Sequence, residues 1–208
     1  MTDSSASTAI DQILGAMPEA LPAVRRFVIA IAAPPAAGKT TLAHELRHAL
    51  APEAAVLGMD AFHFDDAILR DRGDLPRKGA PHTFDVDGYR RILTTLRNEP
   101  DAEVAVPLFD RNRELSRGSA ELVAANERIV ITEGNYLLID QAPWTELRPL
   151  FDLTVMLSSD MATIEARILQ RWADHGFTEA EARARFKSND GPNARFVLEH
   201  SSPAQVHL

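Results

Sequence analysis

A three-layer α/β/α domain with a mostly parallel sheet and a helical lid is the architecture this sequence predicts. Three observations predict it. Short continuous apolar runs recur at 27–31, 54–59, 129–131 and 152–157, the pattern of strands buried on both faces. Segments of helical spacing separate several of these runs, and strands alternating with helices argue for a parallel sheet. The first run also passes through a Pro/Ala/Gly turn straight into a helix.

The elements follow in order. Residues 8–17 place Ile10, Ile13, Leu14 and Met17 on one helical face, ended by Pro18 and Pro22. Phe27 to Ile31 is the first buried strand. A helix spans about Lys39 to Leu50, with Leu42, Leu46, Ala49 and Leu50 apolar. Ala54 to Met59 is the second strand. Residues 60–86, rich in Asp, Gly, Pro and His, read as irregular, and a stretch of that kind inside a compact domain is usually functional. Asp87 to Arg97 reads as a helix, and Val104 to Phe109 as a strand interrupted by Pro107. Ile129 to Ile131 and Asp152 to Leu157 are further buried strands. Met161 to Asp174 and Thr178 to Lys187 are charged amphipathic helices flanking His175-Gly176, and residues 205–208 form a last short strand. No repeat or linker divides the chain, so 1–208 reads as one domain, with the lid at about 161–192.

Composition narrows the function. The 208 residues are 45% hydrophobic and 25% charged, ordinary for a globular protein. Net charge is -8 and no Lys/Arg-rich block occurs, which argues against nucleic acid or anionic membrane as a partner. There is no cysteine, so disulfides, thiolate metal sites and Cys nucleophiles are excluded. Met1 to Ser7 is polar, without the pattern of a signal peptide, and 27–37 is too short to span a bilayer. The chain reads as cytoplasmic.

The strongest motif is Ala33-Pro34-Pro35-Ala36-Ala37-Gly38-Lys39-Thr40-Thr41. It matches G-x-x-x-x-G-K-[ST] except that Ala33 replaces the first Gly. A strand delivers the chain to a tight loop whose backbone N–H groups converge on phosphate at a helix N-terminus. Lys39 can reach the β- and γ-phosphates of ATP, and the Thr40 hydroxyl can bind Mg²⁺. If the first position requires positive φ, Ala33 carries a steric cost of about 1 kcal/mol or more.

Phosphoryl transfer to a hydroxyl needs a proton acceptor and a Mg²⁺ site, placed at the C-terminal ends of parallel strands. Asp60 ends the second strand and is the candidate base. Glu133, beside Gly134, ends the third buried run and is the candidate for organising Mg²⁺. Acids also end strands as turn or cap residues. Asp65 and Asp66 could cap a helix through Arg70, and Asp85 the helix from Asp87.

Arg167 and Arg171, four apart on one helix face, could stabilise the transferring phosphoryl group from a closing lid, or pair with Glu165 or Asp174 in solvent. The loop 73–86, including Lys78, His82 and Phe84, is a candidate acceptor wall. His63 could hydrogen-bond a substrate hydroxyl, and Arg111 and Arg113 could add charge complementarity. Only three lysines occur, Lys39, Lys78 and Lys187.

Four features together resemble the phosphoribulokinase/uridine kinase/pantothenate kinase family of P-loop kinases. They are the phosphate loop, Asp60-Ala61-Phe62-His63-Phe64-Asp65-Asp66, Val130-Ile131-Thr132-Glu133-Gly134-Asn135-Tyr136, and 167–193 with Asn189-Asp190-Gly191-Pro192-Asn193. Lys78-Gly79-Ala80-Pro81, Thr83-Phe84-Asp85 and Pro107-Leu108-Phe109-Asp110-Arg111 resemble the bacterial fructose-transport-associated kinase branch. The likeness covers about 25–205. It implies a P-loop NTPase fold, ATP and Mg²⁺ as cofactors, Lys39 and Thr40 at the phosphates, Asp60 as catalytic acid–base group, Glu133 as strand-end acid, Arg167 and Arg171 as lid arginines and Asn193 near adenine. It extends the acceptor-binding loop to about 60–86 and adds Tyr136 to that wall. Members are often homodimers, and nothing in the sequence marks an interface.

Three classes of function follow. One is a kinase for a sugar such as fructose, a nucleoside or pantothenate. A second is a P-loop switch or motor, but no Asn-Lys-x-Asp guanine motif and no transporter Ser-Gly-Gly signature occurs. A third is a regulatory nucleotide-binding protein, which Ala33 favours and Asp60 and Glu133 oppose.

Overall fold

A computed structural model describes residues 3–208, so Met1 and Thr2 of the polar N-terminus lie outside the described residues. The helices are α1 (Asp3–Gly15), α2 (Lys39–Ala49), α3 (Asp66–Arg72), α4 (Val86–Asn98), α5 (Met161–Asp174), α6 (Glu179–Arg185) and α7 (Gly191–His200). The strands are β1 (Phe27–Ala32), β2 (Ala54–Gly58), β3 (Val104–Asp110), β4 (Leu115–Val123), β5 (Ile129–Gly134), β6 (Leu153–Met156) and β7 (Val206–His207).

Five strands form a parallel sheet in the order β2-β5-β1-β6-β7. β1 is buried along its whole length because its side chains alternate between two cores. Val28, Ala30 and Ala32 join Leu57, Val130, Tyr89, Leu93, Trp144 and Val197 on one face. Ile29 and Ile31 join Ile13, Leu42, Leu46, Ile131 and Val155 on the other. Helices α1 and α2 cover the second face, and α4, the 144–150 turn and α7 cover the first. That is the three-layer arrangement the apolar runs predict.

One expectation is corrected and one strand is placed outside the main sheet. Val104 to Phe109 is a strand, as expected, but lies in a separate two-stranded sheet. β3 runs on to Asp110 and pairs antiparallel with β4, with a register shift between Val106 and Leu108 that absorbs Pro107. Residues 60–86 are not irregular but a series of short helical turns with α3 among them. Asp65 caps α3 through Ala67 N–H (2.8 Å), and Asp85 caps α4 through Gly88 N–H (2.9 Å). The first helix ends at Gly15, before Pro18.

Helices α5 and α6 are set by local signals. Asp160 caps α5 through Thr163 N–H. Thr178 and Glu181 form a reciprocal capping box at α6. The chain then stays right-handed helical through one wide turn at Phe186–Asp190 and into α7.

Candidate active site

Sheet register brings the acidic candidates to one edge. Ile31 and Gly58 both lie opposite Glu133, so β1, β2 and β5 end together. The phosphate loop leaves β1 at that edge, and Asp60 lies one turn past β2. Gly134 is required there: a Cβ would stand 2.4 Å from the Met59 side chain.

The loop 33–38 carries its left-handed residues at Ala36 (φ 60°) and Gly38 (φ 99°). Ala33 is not left-handed; it is buried as an extension of β1. The conformational cost expected at the missing first glycine therefore falls on Ala36 instead, a strained non-glycine residue at a functional loop. Gly38 opens α2 without any side-chain cap, leaving the first-turn N–H groups for a ligand. Ala36, Ala37, Gly38, Thr41 and Arg167 line a hollow of about 200 Å³. Pro34 and Pro35 are buried.

Lys39 is half-buried, and among the described residues no carboxylate is within ion-pairing distance of it. Its charge nonetheless acts on both acids. Glu133 is 6% exposed and accepts a hydrogen bond from Thr40 Oγ1 (3.1 Å). Burial pushes its carboxyl up, with Lys39 opposing and Asp60 adding. Burial also pushes Asp60 up, but Arg111, His63 and Lys39 outweigh it and hold Asp60 below the ordinary range. Arg111 Nη2 sits 2.5 Å from Asp60 Oδ2. Two acids that feel each other's charge are thus driven in opposite directions.

His63 is fixed by Nδ1 against the Asp60 carbonyl (2.8 Å) and by its ring against Phe84 and Phe109. Burial lowers its pKa despite Asp60, which favours the neutral ring. Lys78 Nζ pairs with Asp66 (2.6 Å) and donates to the Glu114 carbonyl (2.6 Å), linking the loop to the hairpin tip. Arg113 lies near Asp110 (3.9 Å) at that tip.

Other candidates are placed differently from expectation. Phe84 is 4% exposed and Tyr136 0%; they pack with Trp144 in one aromatic cluster, and Tyr136 donates to the Gly79 carbonyl (2.6 Å). They belong to the core and line no open surface, because aromatic area is more stable buried. His82 is exposed and faces Asp74 (3.4 Å). Asn193 is 4% exposed, its amide engaged by Asn189 (3.3 Å) and Arg77 (3.4 Å). Arg167 Nη1 donates to the Ala36 carbonyl (3.3 Å) and so faces the phosphate loop. Arg171 instead pairs with Asp190 (3.5 Å), not with Glu165 or Asp174. Sequence reasoning missed Asp190 and Asn189 as partners, and only the run Asn189 to Asn193 signalled them; Arg77 of the 73–86 loop turns toward Asn189 and Asn193.

Oxygens for a cation are available in Thr40 and Glu133, and no group of three or more acidic or His side chains forms a metal cage among the described residues. That donor set suits an ion held mainly by phosphates and water. No helix among the described residues is long and apolar enough to cross a membrane.

The profile of the Phosphoribulokinase / Uridine kinase family matches residues 28–182. The uncharacterized protein YggC of Escherichia coli K12 is 32% identical over 88% of this chain and 77% of its own. The "Putative uridine kinase C227.14" of Schizosaccharomyces pombe is 31% identical over 94% and 88%. The crystal structure of a "putative fructose transport system kinase" from Silicibacter sp. TM1040 superposes with a TM-score of 0.90 at 38% identity, covering 98% of each chain. The chain belongs to the phosphoribulokinase/uridine kinase family and is a P-loop kinase.

Proposed function

We propose that the protein transfers the γ-phosphoryl group of ATP to a hydroxyl of a small metabolite, with a sugar such as fructose as the first acceptor to test. The convergence of Lys39, Glu133 and Asp60 at one sheet edge carries this reading. Backbone N–H groups of 36–41 and the Lys39 ammonium receive the β- and γ-phosphates. Thr40 and Glu133 are the oxygens that would hold Mg²⁺, which supplies neutralisation of phosphate charge. Asp60, kept ionised, takes the proton of the attacking hydroxyl, and Arg167 reaches the transferring group from the lid. Lys78, Arg111 and His63 face the acceptor, with Phe84 and Tyr136 packed behind.

The sugar preference rests on the Silicibacter protein, whose likeness spans the whole chain. The uridine kinase name of the fission-yeast relative supports a nucleoside as the second acceptor class. The test is an ADP-release assay with ATP, Mg²⁺ and a panel of sugars, nucleosides and pantothenate, with phosphorylated product counted beside ADP. One product per ADP with a sugar fits the proposal. One per ADP with a nucleoside or pantothenate reassigns the acceptor. ADP without product would mean an ATPase.

A further inference from the structure

Residues Asn189 to Asn193 take no part in the chemistry assigned above, yet they occupy the joint between its two halves. The wide turn at 186–190 departs from α-helical spacing, and such turns recur at functional sites. It aims two neighbouring buried side chains at different partners. Asn189 Oδ1 accepts from Arg77 Nε (3.1 Å), and its Nδ2 donates to the Lys78 carbonyl (2.9 Å). Asp190 Oδ2 accepts from Trp172 Nε1 (2.8 Å), and its Oδ1 pairs with Arg171 (3.5 Å).

Arg77 and Lys78 belong to the acceptor wall, and Arg171 and Trp172 to the lid helix α5. Asn193 reinforces the first set by bonding both Asn189 and Arg77. Gly191 allows the turn to close, since a Cβ there would stand 2.9 Å from the Phe186 carbonyl. Phe186 in turn packs with Ile164, Ile168 and Ala194, and Ala36 of the phosphate loop packs against that cluster. A contiguous path of packed and hydrogen-bonded groups therefore runs from the phosphate loop through α5 and the wide turn to the 74–80 loop.

We propose that Asn189 and Asp190 are positioning residues that tie the acceptor wall to the lid, so that nucleotide at the phosphate loop orders the 74–80 loop. This rests on the lid and acceptor-wall assignments above, so its test needs no acceptor. Hydrogen exchange of the 74–80 amides is measured with and without Mg²⁺ and a non-hydrolysable ATP analogue, after titration of the analogue's affinity. In the unmodified protein, these amides slow by about fivefold or more on binding, the equivalent of one good hydrogen bond. Asn189→Ala and Asp190→Ala bind the analogue but lose this slowing. Asn189→Asp, which keeps the Arg77 partner and loses the donor to Lys78, shows the loss without a cavity. Asp190→Asn keeps the Trp172 partner and retains part of it. With an acceptor in hand, Asn189→Ala raises the acceptor KM more than the ATP KM. Bound analogue with no slowing in the unmodified protein, or slowing in Asn189→Ala and Asn189→Asp as large as in the unmodified protein, overturns the inference. Failure of the analogue to bind overturns the kinase assignment itself, and the titration reads that separately.

Discussion

Arg111, at the tip of the β3–β4 hairpin, holds Asp60 in an ion pair of 2.5 Å. The hairpin is fastened over the site at a second point, where Ser116 Oγ donates to the Ala61 carbonyl, and Arg111 also lies over the Phe109 ring (5.3 Å). A strongly basic group thereby holds down the pKa of the carboxylate proposed as the base.

Removing Arg111 leaves Asp60 with the burial that pushes its pKa up and less of the positive charge that pulls it down. Activity that requires ionised Asp60 is lost as pH falls through its pKa. In Arg111→Ala the acid limb of the kcat/KM profile therefore moves to higher pH, by about one pH unit or more. An unmoved limb in the pH profile would mean that another group limits the reaction at low pH.

Arg167 and Arg171 separate in the structure. Arg167 lines the hollow at the phosphate loop, whereas Arg171 is committed to Asp190. Arg167→Ala should lower kcat by about a hundredfold, the usual cost of one donor to developing charge. Arg171→Ala should cost far less, about tenfold, because it acts through the lid's placement. Steady-state kinetics on both variants decide this; equal losses would return Arg171 to the phosphates.

Arg26 is wholly buried and spends all five donor positions on backbone carbonyls: Leu96, Glu99, Ala102, Ala124 and Glu127. It fastens the end of α4 and both ends of the hairpin to the start of β1. Arg26→Met strands these carbonyls and should cost about 3–5 kcal/mol in urea unfolding. A loss under about 1 kcal/mol would mean that water or neighbouring donors replace it.

Asp152 receives Arg97, Arg25 and the Val28 N–H, and these outweigh burial to hold its carboxyl below the ordinary range. A depressed folded pKa adds stability above the unfolded value of about 4, and that stability fades as pH falls through the folded pKa. The stability gap between the unmodified protein and Asp152→Asn should therefore be constant from neutral pH to about 5 and shrink below about 4. Urea unfolding across that range checks it.

Much of the sheet, and the placing of the two acids at its edge, is legible in the amino-acid sequence. The continuous apolar runs identified β1, β2, β5 and β6 because strands buried on both faces have no polar alternation to confuse them. Glu133 and Asp60 followed because acids at the ends of such strands meet at one edge. β4 escaped because both faces of the hairpin meet solvent over much of its length, leaving Leu115 to Val123 without a period. α7 escaped because Gly191-Pro192 is a breaker signal, whereas the helical backbone here runs on from the wide turn through Pro192. Residue type alone also could not show that left-handed geometry falls on Ala36 rather than Ala33. Nor could it show that Phe84 and Tyr136 turn inward. Each depends on packing between segments far apart in sequence.

Asp60→Asn tests the account most directly, measured as product formed from ATP, Mg²⁺ and the accepted substrate beside ATP affinity from titration. ATP affinity should stay close to that of the unmodified protein while transfer falls by about 10² to 10⁴. Transfer at the unmodified rate would contradict it.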